Sequence, residues 1–354
     1  MYVNMTKRPT SFNAMKGLCM IILMIFHVDF LYADLKGVST FINTVLKIFS
    51  AVNYTFLLIA GYNFEEDSLG SSLKKSFRYC IIPYLVSMVC VLVLFPIIHY
   101  SFFKWWPGAL SEELKYLLAF AFGIPKSTTV FGIQTYECSV VHFLLSLFIA
   151  TNLFNLILKI KNNSLKCVSI VLCLLLSKFL YDKSFLFYCI APGLLSVFYL
   201  SIGYLMKKYD LLGESKYKLV IIIISLIGFV YGFINNIYFN LPTGEGSNFF
   251  IGNIITLCFS IILLYIGNIM ENCNDVVTKT FKTIGLYTPW IMCLHSIEMI
   301  CFPWYLLMNV NMNKYLVFVI ALVLKFIWIY LGCKLIKKIV KIRFKAKMKR
   351  RRKA

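Results

Sequence analysis

Charged residues are scarce in this chain of 354 residues, at 14% of the sequence, and only 15 residues are acidic. A soluble globular domain ordinarily carries about a quarter of its residues as Asp, Glu, Lys or Arg, so this scarcity excludes that class. Hydrophobic residues make up 60% of the sequence. They cluster in about ten apolar stretches, each long enough to cross a hydrocarbon layer. We therefore predict an all-α, polytopic transmembrane helix bundle.

Paired cysteines are also missing. The 12 cysteines stand singly in apolar segments, with no Cys-x-x-Cys spacing and no His/Cys cluster at metal-ligand spacing. They are typical of small buried hydrophobic residues, and we predict no metal site. The first apolar segment has no small-residue cleavage site, which indicates a retained signal anchor rather than a removed signal peptide.

Basic residues are concentrated in alternate loops, and this pattern predicts the orientation of the bundle. The formal net charge of +21 therefore indicates membrane orientation rather than a nucleic-acid partner, and it places both termini in the cytoplasm. We predict a transmembrane domain at 1–338 and a basic cytoplasmic tail at 339–354 that contacts anionic lipids. The predicted spans are roughly 14–33, 42–62, 79–99, 138–158, 165–181, 185–206, 217–236, 249–270, 284–307 and 314–336.

The first span carries a cation and an imidazole on one face. Lys16 and His27 are eleven positions apart, which on a helix is three turns and about 16 Å. No charged residue lies between them, so His27 is expected at hydrocarbon depth, where ionisable groups mark functional sites. The competing interpretation is a packed histidine that hydrogen-bonds to a neighbouring group.

A second set of cations precedes the third span. Lys74, Lys75 and Arg78 recur at helical spacing on the membrane side that also holds Arg8 and Lys16. A phosphate-rich ligand would find its electrostatic partner there. The alternative is that these cations only orient the span.

Further candidates lie in the predicted outer half. Glu137 and His142 begin the fourth span, and His295 and Glu298 are three apart on the ninth. They are candidates for acceptor binding or proton relay, with a structural His–Glu hydrogen bond as the alternative. Lys325 in the tenth span needs a partner that the sequence does not identify.

Two other features shape this outer half. The long outer loop contains Trp105 and Trp106, which fit a sugar platform or lid and equally fit interfacial anchors. The outer loop at 235–248 has no Lys or Arg and suits a neutral polar acceptor, although turns often have this composition. Pro289 is expected to kink the ninth span.

Several of these blocks together resemble integral-membrane acyltransferase family 3, which includes bacterial polysaccharide and cell-wall O-acetyltransferases. The resemblance covers most of the chain. Asn13 stands where the family usually has an acidic residue, and we expect a stand-alone transferase without a fused soluble domain. The matching blocks are Arg8, Lys16-Gly17 and His27, then Ala60-Gly61-Tyr62, the basic run into Pro83-Tyr84, His142-Phe143-Leu144, Gly203-Tyr204, and Gly285 through His295.

The resemblance implies a membrane-bound O-acyltransferase of the bacterial cytoplasmic membrane. It would move an acetyl or other short acyl group from acyl-CoA to a sugar hydroxyl of a cell-surface or lipid-linked glycan, with no permanently bound cofactor. His27 is the expected base, because a neutral imidazole suits proton abstraction at working pH. The donor would be held by Lys16 with Arg8, Asn13, Lys74, Lys75 and Arg78, and the acceptor bound or its proton relayed by Glu137, His142, His295 and Glu298.

The rival interpretation is a transporter or flippase for a lipid-linked saccharide, since buried His, Lys and Glu also fit a substrate pathway. No internal repeat supports that reading. The acyl group, the acceptor sugar, the membrane side of transfer and the oligomeric state are left open by the sequence.

Overall fold

A computed structural model describes residues 12–27, 52–213, 215–309 and 312–351, and the described part is a bundle of helices. Its one sheet among these residues is a two-stranded hairpin of β1, Thr129–Val130, and β2, Ile133–Gln134. The helices are α1 Asn13–Phe26, α2 Val52–Tyr62, α3 Leu69–Phe103, α4 Trp106–Ala121, α5 His142–Leu158, α6 Asn163–Asp182, α7 Ile190–Lys208, α8 Lys218–Ile234, α9 Phe249–Asn272, α10 Val276–Leu286, α11 Thr288–Cys301 and α12 Lys314–Arg351.

The helices account for the apolar segments of the sequence. Each of the segments predicted to span the membrane overlaps one of these helices, or the α10–α11 pair. Six helices are long and apolar enough to cross a membrane, or seven if the bent pair is one span, while α1, α2 and α8 are shorter apolar helices. The chain is therefore a multi-pass helical membrane protein, and the exact number of spans and the cytoplasmic location of the termini stay predictions.

Glycine allows the closest helix contacts, which fix the position of α1. A Cβ on Gly17 would lie 2.0 Å from the backbone oxygen of Phe281 in α10, and one on Gly285 would lie 1.9 Å from that of Asn13. Helices α2 and α7 meet in the same way, since Gly61 and Gly203 each abut the other helix's backbone. Small residues at such contacts let membrane helices approach closely.

The predicted kink in the ninth span is present. Helices α10 and α11 are bent by 77° at a break around Tyr287, and Pro289 occupies the first turn of α11, where its missing N–H costs no hydrogen bond. The bend leaves α10 packed on α1, while α11 packs on α3 and α12. The two halves of the predicted ninth span therefore pack against different helices.

The two ends of the bundle differ. We call the end with loops 122–138 and 235–248, predicted to face outward, the outer end, and the opposite end, with the start of α1 and the α9–α10 connection, the inner end. At the outer end, an ion pair of 2.5 Å between Lys126 and Glu245 joins the two loops. The hydrogen bond from Lys126 lowers the pKa of the Glu245 carboxyl.

Candidate active site

His27 lies directly after the last residue of α1 and faces a second histidine. Its backbone N–H donates to the carbonyl of Leu23 at 3.1 Å, so it continues the helical turn. Its Nδ1 lies 3.1 Å from Nε2 of His295 in α11. The sequence interpretation set His27 apart from the outer candidates, and the structure brings it into direct contact with one of them.

The chain of polar contacts continues from His295 to Glu298 and Lys325. Nδ1 of His295 lies 2.7 Å from Oε1 of Glu298, and Nζ of Lys325 in α12 donates to the same oxygen at 2.9 Å. All three side chains are fully buried, at 0% exposure. The Lys325 ammonium also lies 5.1 Å from the centre of the Trp304 ring. Lys325 thus has the partner that the sequence left unnamed, and burial as an ion pair explains how it is tolerated at this depth.

The order of these contacts determines which nitrogen of His27 can act as a base. Glu298, paired with the Lys325 ammonium, accepts a hydrogen bond from the Nδ1–H of His295. The neutral His295 ring then presents an acceptor at Nε2, and His27 donates to it from Nδ1. The remaining nitrogen of His27, Nε2, carries the lone pair.

His27 also lines a cavity of about 180 Å³ at the outer end. Glu137, His142 and Asn53 contribute polar groups, and the outer loop at 235–248 contributes Asn240 and Thr243. His142 is oriented by its backbone neighbour: Nδ1 donates to the carbonyl of Ser139 at 2.7 Å, while Nε2 is buried without a hydrogen-bond partner in the described part of the chain. Two of the outer-half candidates, Glu137 and His142, therefore line the same space as His27, whereas His295 and Glu298 are buried behind it.

Lys16 lies toward the inner end of α1, next to a carboxylate. Glu271 at the end of α9 accepts a hydrogen bond from the backbone N–H of Ala14 at 2.8 Å and interacts electrostatically with Lys16. Its other oxygen is 3.8 Å from the ammonium of Lys282. Glu271 therefore stabilises the positive end of the α1 dipole. Lys16 is not among the residues that line the His27 cavity.

Three of the remaining donor-binding candidates lie on a different helix from Lys16. Lys74, Lys75 and Arg78 are exposed at the start of α3, which packs on α5, and Lys75 pairs with Asp67. Asn13 is the first residue of α1, and Arg8 lies outside the described residues. Helix α1 instead packs on α2, α9, α10 and α11. The structure thus places the described cations Lys74, Lys75 and Arg78 on α3 and Lys16 on α1.

Some residues of the site were not predicted. Asn240, Thr243 and Asn53 line the cavity, and Glu271 contacts the start of α1. The loop at 235–248 was noted for its neutral polarity, but no spacing rule connects it to His27. Trp105 and Trp106 line neither of the two outer-end cavities that we describe.

Within the helical membrane bundle, the half-buried His27 thus meets the buried His295 beside a cavity. The chain belongs to integral-membrane acyltransferase family 3, because the family model described as an acyltransferase domain matches residues 10–338. Comparisons with curated proteins and with solved structures found no match. The chain is therefore a multi-pass membrane protein with an acyltransferase domain.

Proposed function

We propose that this protein transfers an acetyl or other short acyl group from acyl-CoA to a sugar hydroxyl of a cell-surface or lipid-linked glycan in the bacterial cytoplasmic membrane. The observation that carries the proposal is the polar chain His27–His295–Glu298–Lys325 beside the outer cavity. It orients the neutral imidazole of His27, whose Nε2 lone pair can take the proton from the hydroxyl that receives the acyl group.

The reaction needs one proton acceptor and one acyl donor. Nε2 of His27 takes the proton of the sugar hydroxyl while the hydroxyl oxygen attacks the thioester carbonyl carbon. A C–O bond forms, the C–S bond breaks, and the departing CoA thiolate recovers the proton from His27. The Glu298 carboxylate stabilises, through His295, the imidazolium that forms transiently, and its ion pair with Lys325 holds the carboxylate beside His295.

The donor would enter from the inner end. Its phosphates would be held by Lys16 with Arg8, Asn13, Lys74, Lys75 and Arg78, and the thioester would reach His27 along α1 over about 16 Å. Glu137 and His142 face the same cavity as His27 and would position the acceptor. The described cations are spread over two helices, so the donor itself would bridge them.

Incubation of membranes with labelled acetyl-CoA tests the proposal. Wild-type membranes should incorporate label into glycan, and His27→Ala should lower incorporation by at least about 1,000-fold, because the proton acceptor is lost. His99→Ala is the matched control, since His99 lines neither of the two outer-end cavities. Full transfer by a folded His27→Ala protein refutes the assignment, and glycan movement without acylation indicates a transporter or flippase.

A further inference from the structure

A second cavity lies beside the His27 cavity and shares a wall with it. It has a volume of about 310 Å³, and Glu137 and Ser139 line both spaces. The other residues that line it come from α4, the long outer loop and α11: Tyr116, Ser127, Tyr136, Met299 and Ile300. The second cavity therefore adjoins the proposed reaction space at the outer end of the bundle.

Two tyrosine rings give the second cavity a fixed aromatic wall. The ring centroids of Tyr116 and Tyr136 are 4.7 Å apart, with 31° between the ring planes. Tyr136 donates its hydroxyl hydrogen bond to Glu112, which also pairs with Lys115 at 2.6 Å. The Lys115 ammonium lies 5.3 Å from the centre of the Tyr136 ring. These contacts hold the Tyr136 ring in place before any ligand binds, which lowers the entropic cost of binding.

The charge of the two cavities selects against an anionic ligand. Among the described residues that line them, Glu137 is the one acidic side chain and none is Lys or Arg. The nearby cations Lys115 and Lys126 are paired with Glu112 and Glu245. A phosphate or carboxylate that lost its water here would gain no compensating cation.

His142 adds a group suited to a hydroxyl. Its side chain is 8% exposed and lines the first cavity, and Nε2 has no hydrogen-bond partner among the described residues. Since Nδ1 donates to Ser139, the neutral ring presents an acceptor at Nε2. Aromatic rings for the apolar faces and a few polar groups for orientation are typical of a small-molecule site.

We propose that the second cavity binds the sugar residue next to the one that is acylated, so that the acceptor is an uncharged glycan of two or more sugars. The inference rests on the proposed function, because it places the reacting hydroxyl beside His27. The aromatic wall of Tyr116 and Tyr136 holds the neighbouring sugar, and the shared wall at Glu137 and Ser139 marks the junction between them.

Acceptor length and charge provide the test. Surface glycan from cells that lack this protein is cut by limited hydrolysis into single sugars, short neutral chains and phosphate-bearing chains. Membranes with wild type, Tyr136→Leu, Tyr136→Phe or Phe131→Leu are given each fraction with labelled acetyl-CoA. Thiol release measures donor cleavage, and glycan label measures transfer. Phe131 is the control, because it is an exposed aromatic residue of the same loop outside both cavities.

Wild type should show a KM about tenfold lower for short neutral chains than for single sugars, which corresponds to about 1.4 kcal/mol. Tyr136→Leu should remove this difference, with the loss in KM rather than in kcat. Tyr136→Phe, which keeps the ring but loses the hydrogen bond to Glu112, should retain part of the difference, and Phe131→Leu should keep it in full. Equal use of single sugars, a preference for phosphate-bearing chains, or an unchanged Tyr136→Leu protein overturns the inference. Absence of His27-dependent transfer to every fraction overturns the proposed function itself, so the two failures are distinguishable.

Discussion

The outer and inner ends of this bundle handle charge in opposite ways. At the outer end, His295, Glu298 and Lys325 are fully buried and joined to His27 in one hydrogen-bonded chain. At the inner end, Lys74 and Arg78 are exposed, and no hydrogen bond or ion pair is described for either. The outer groups are held in place before substrate arrives, as catalysis requires, while the exposed side chains of Lys74 and Arg78 can adapt to a ligand. Substitutions should therefore affect catalytic rate at the outer end and donor affinity at the inner end.

Glu298→Gln should have the largest effect on the polar chain His27–His295–Glu298–Lys325. It leaves the Lys325 ammonium buried without its anion, which should cost about 3–5 kcal/mol of unfolding free energy. It also removes the carboxylate that orients His295, so kcat should fall by at least about 100-fold in the protein that still folds. Thermal unfolding in detergent and acyl-transfer rates measure the two effects.

The double variant Glu298→Gln/Lys325→Met separates folding from catalysis. Removing both charges should recover much of the stability, because no unpaired charge is left buried. The transfer rate should stay low, since His295 still lacks its carboxylate. A double variant with wild-type kcat would show that Glu298 and Lys325 have only a structural role.

Helix packing at Gly17 gives the next largest effect. Gly17→Ala places a Cβ 2.0 Å from the Phe281 carbonyl oxygen, so α1 must move away from α10. Overpacking of this kind costs about 1–3 kcal/mol, and displacement of α1 also moves His27. Gly70→Ala is the matched control, because a Cβ there meets nothing within 4 Å. Equal thermal stability and activity of the two variants would contradict the tight α1–α10 contact.

The sequence predicted the helical bundle because hydrophobic segment length and loop charge are local signals. It also identified His27, His295 and Glu298 as intramembrane ionisable groups. The contact between His27 and His295 joins residues that are 268 positions apart, and such a contact depends on helix packing that no local spacing encodes. The bend between α10 and α11 was indicated by Pro289, but its consequence, α10 on α1 and α11 on α3, was not.

Substitution of the inner cations should have a smaller effect, and this effect should appear in the KM for the acyl donor. Neutralising Lys74 and Arg78 together by Gln should raise the KM for acetyl-CoA about tenfold, because two phosphate contacts on an exposed surface are lost. The kcat should stay near wild type, and the difference should shrink as salt is added. Lys279→Gln, another exposed inner-end cation, is the control. A lowered kcat with unchanged KM would place these residues outside donor binding.

The ion pair between Lys126 and Glu245 should give the smallest effect, because both side chains are about half exposed, at 43% and 54%. Glu245→Gln should lower the unfolding free energy by less than about 1 kcal/mol at neutral pH. The hydrogen bond from Lys126 lowers the pKa of Glu245 in the folded protein, so the pair contributes fully above the ordinary Glu pKa of about 4.3 and is lost as pH falls through the folded value. Wild type and Glu245→Gln should therefore converge in thermal stability at low pH, whereas Glu113→Gln, the same change on α4 with no described ion pair, should lack this convergence. A Glu245→Gln difference that grows on acidification would mean that the ionised carboxylate destabilises the loop contact, and the ion pair would then not be what joins the outer loops.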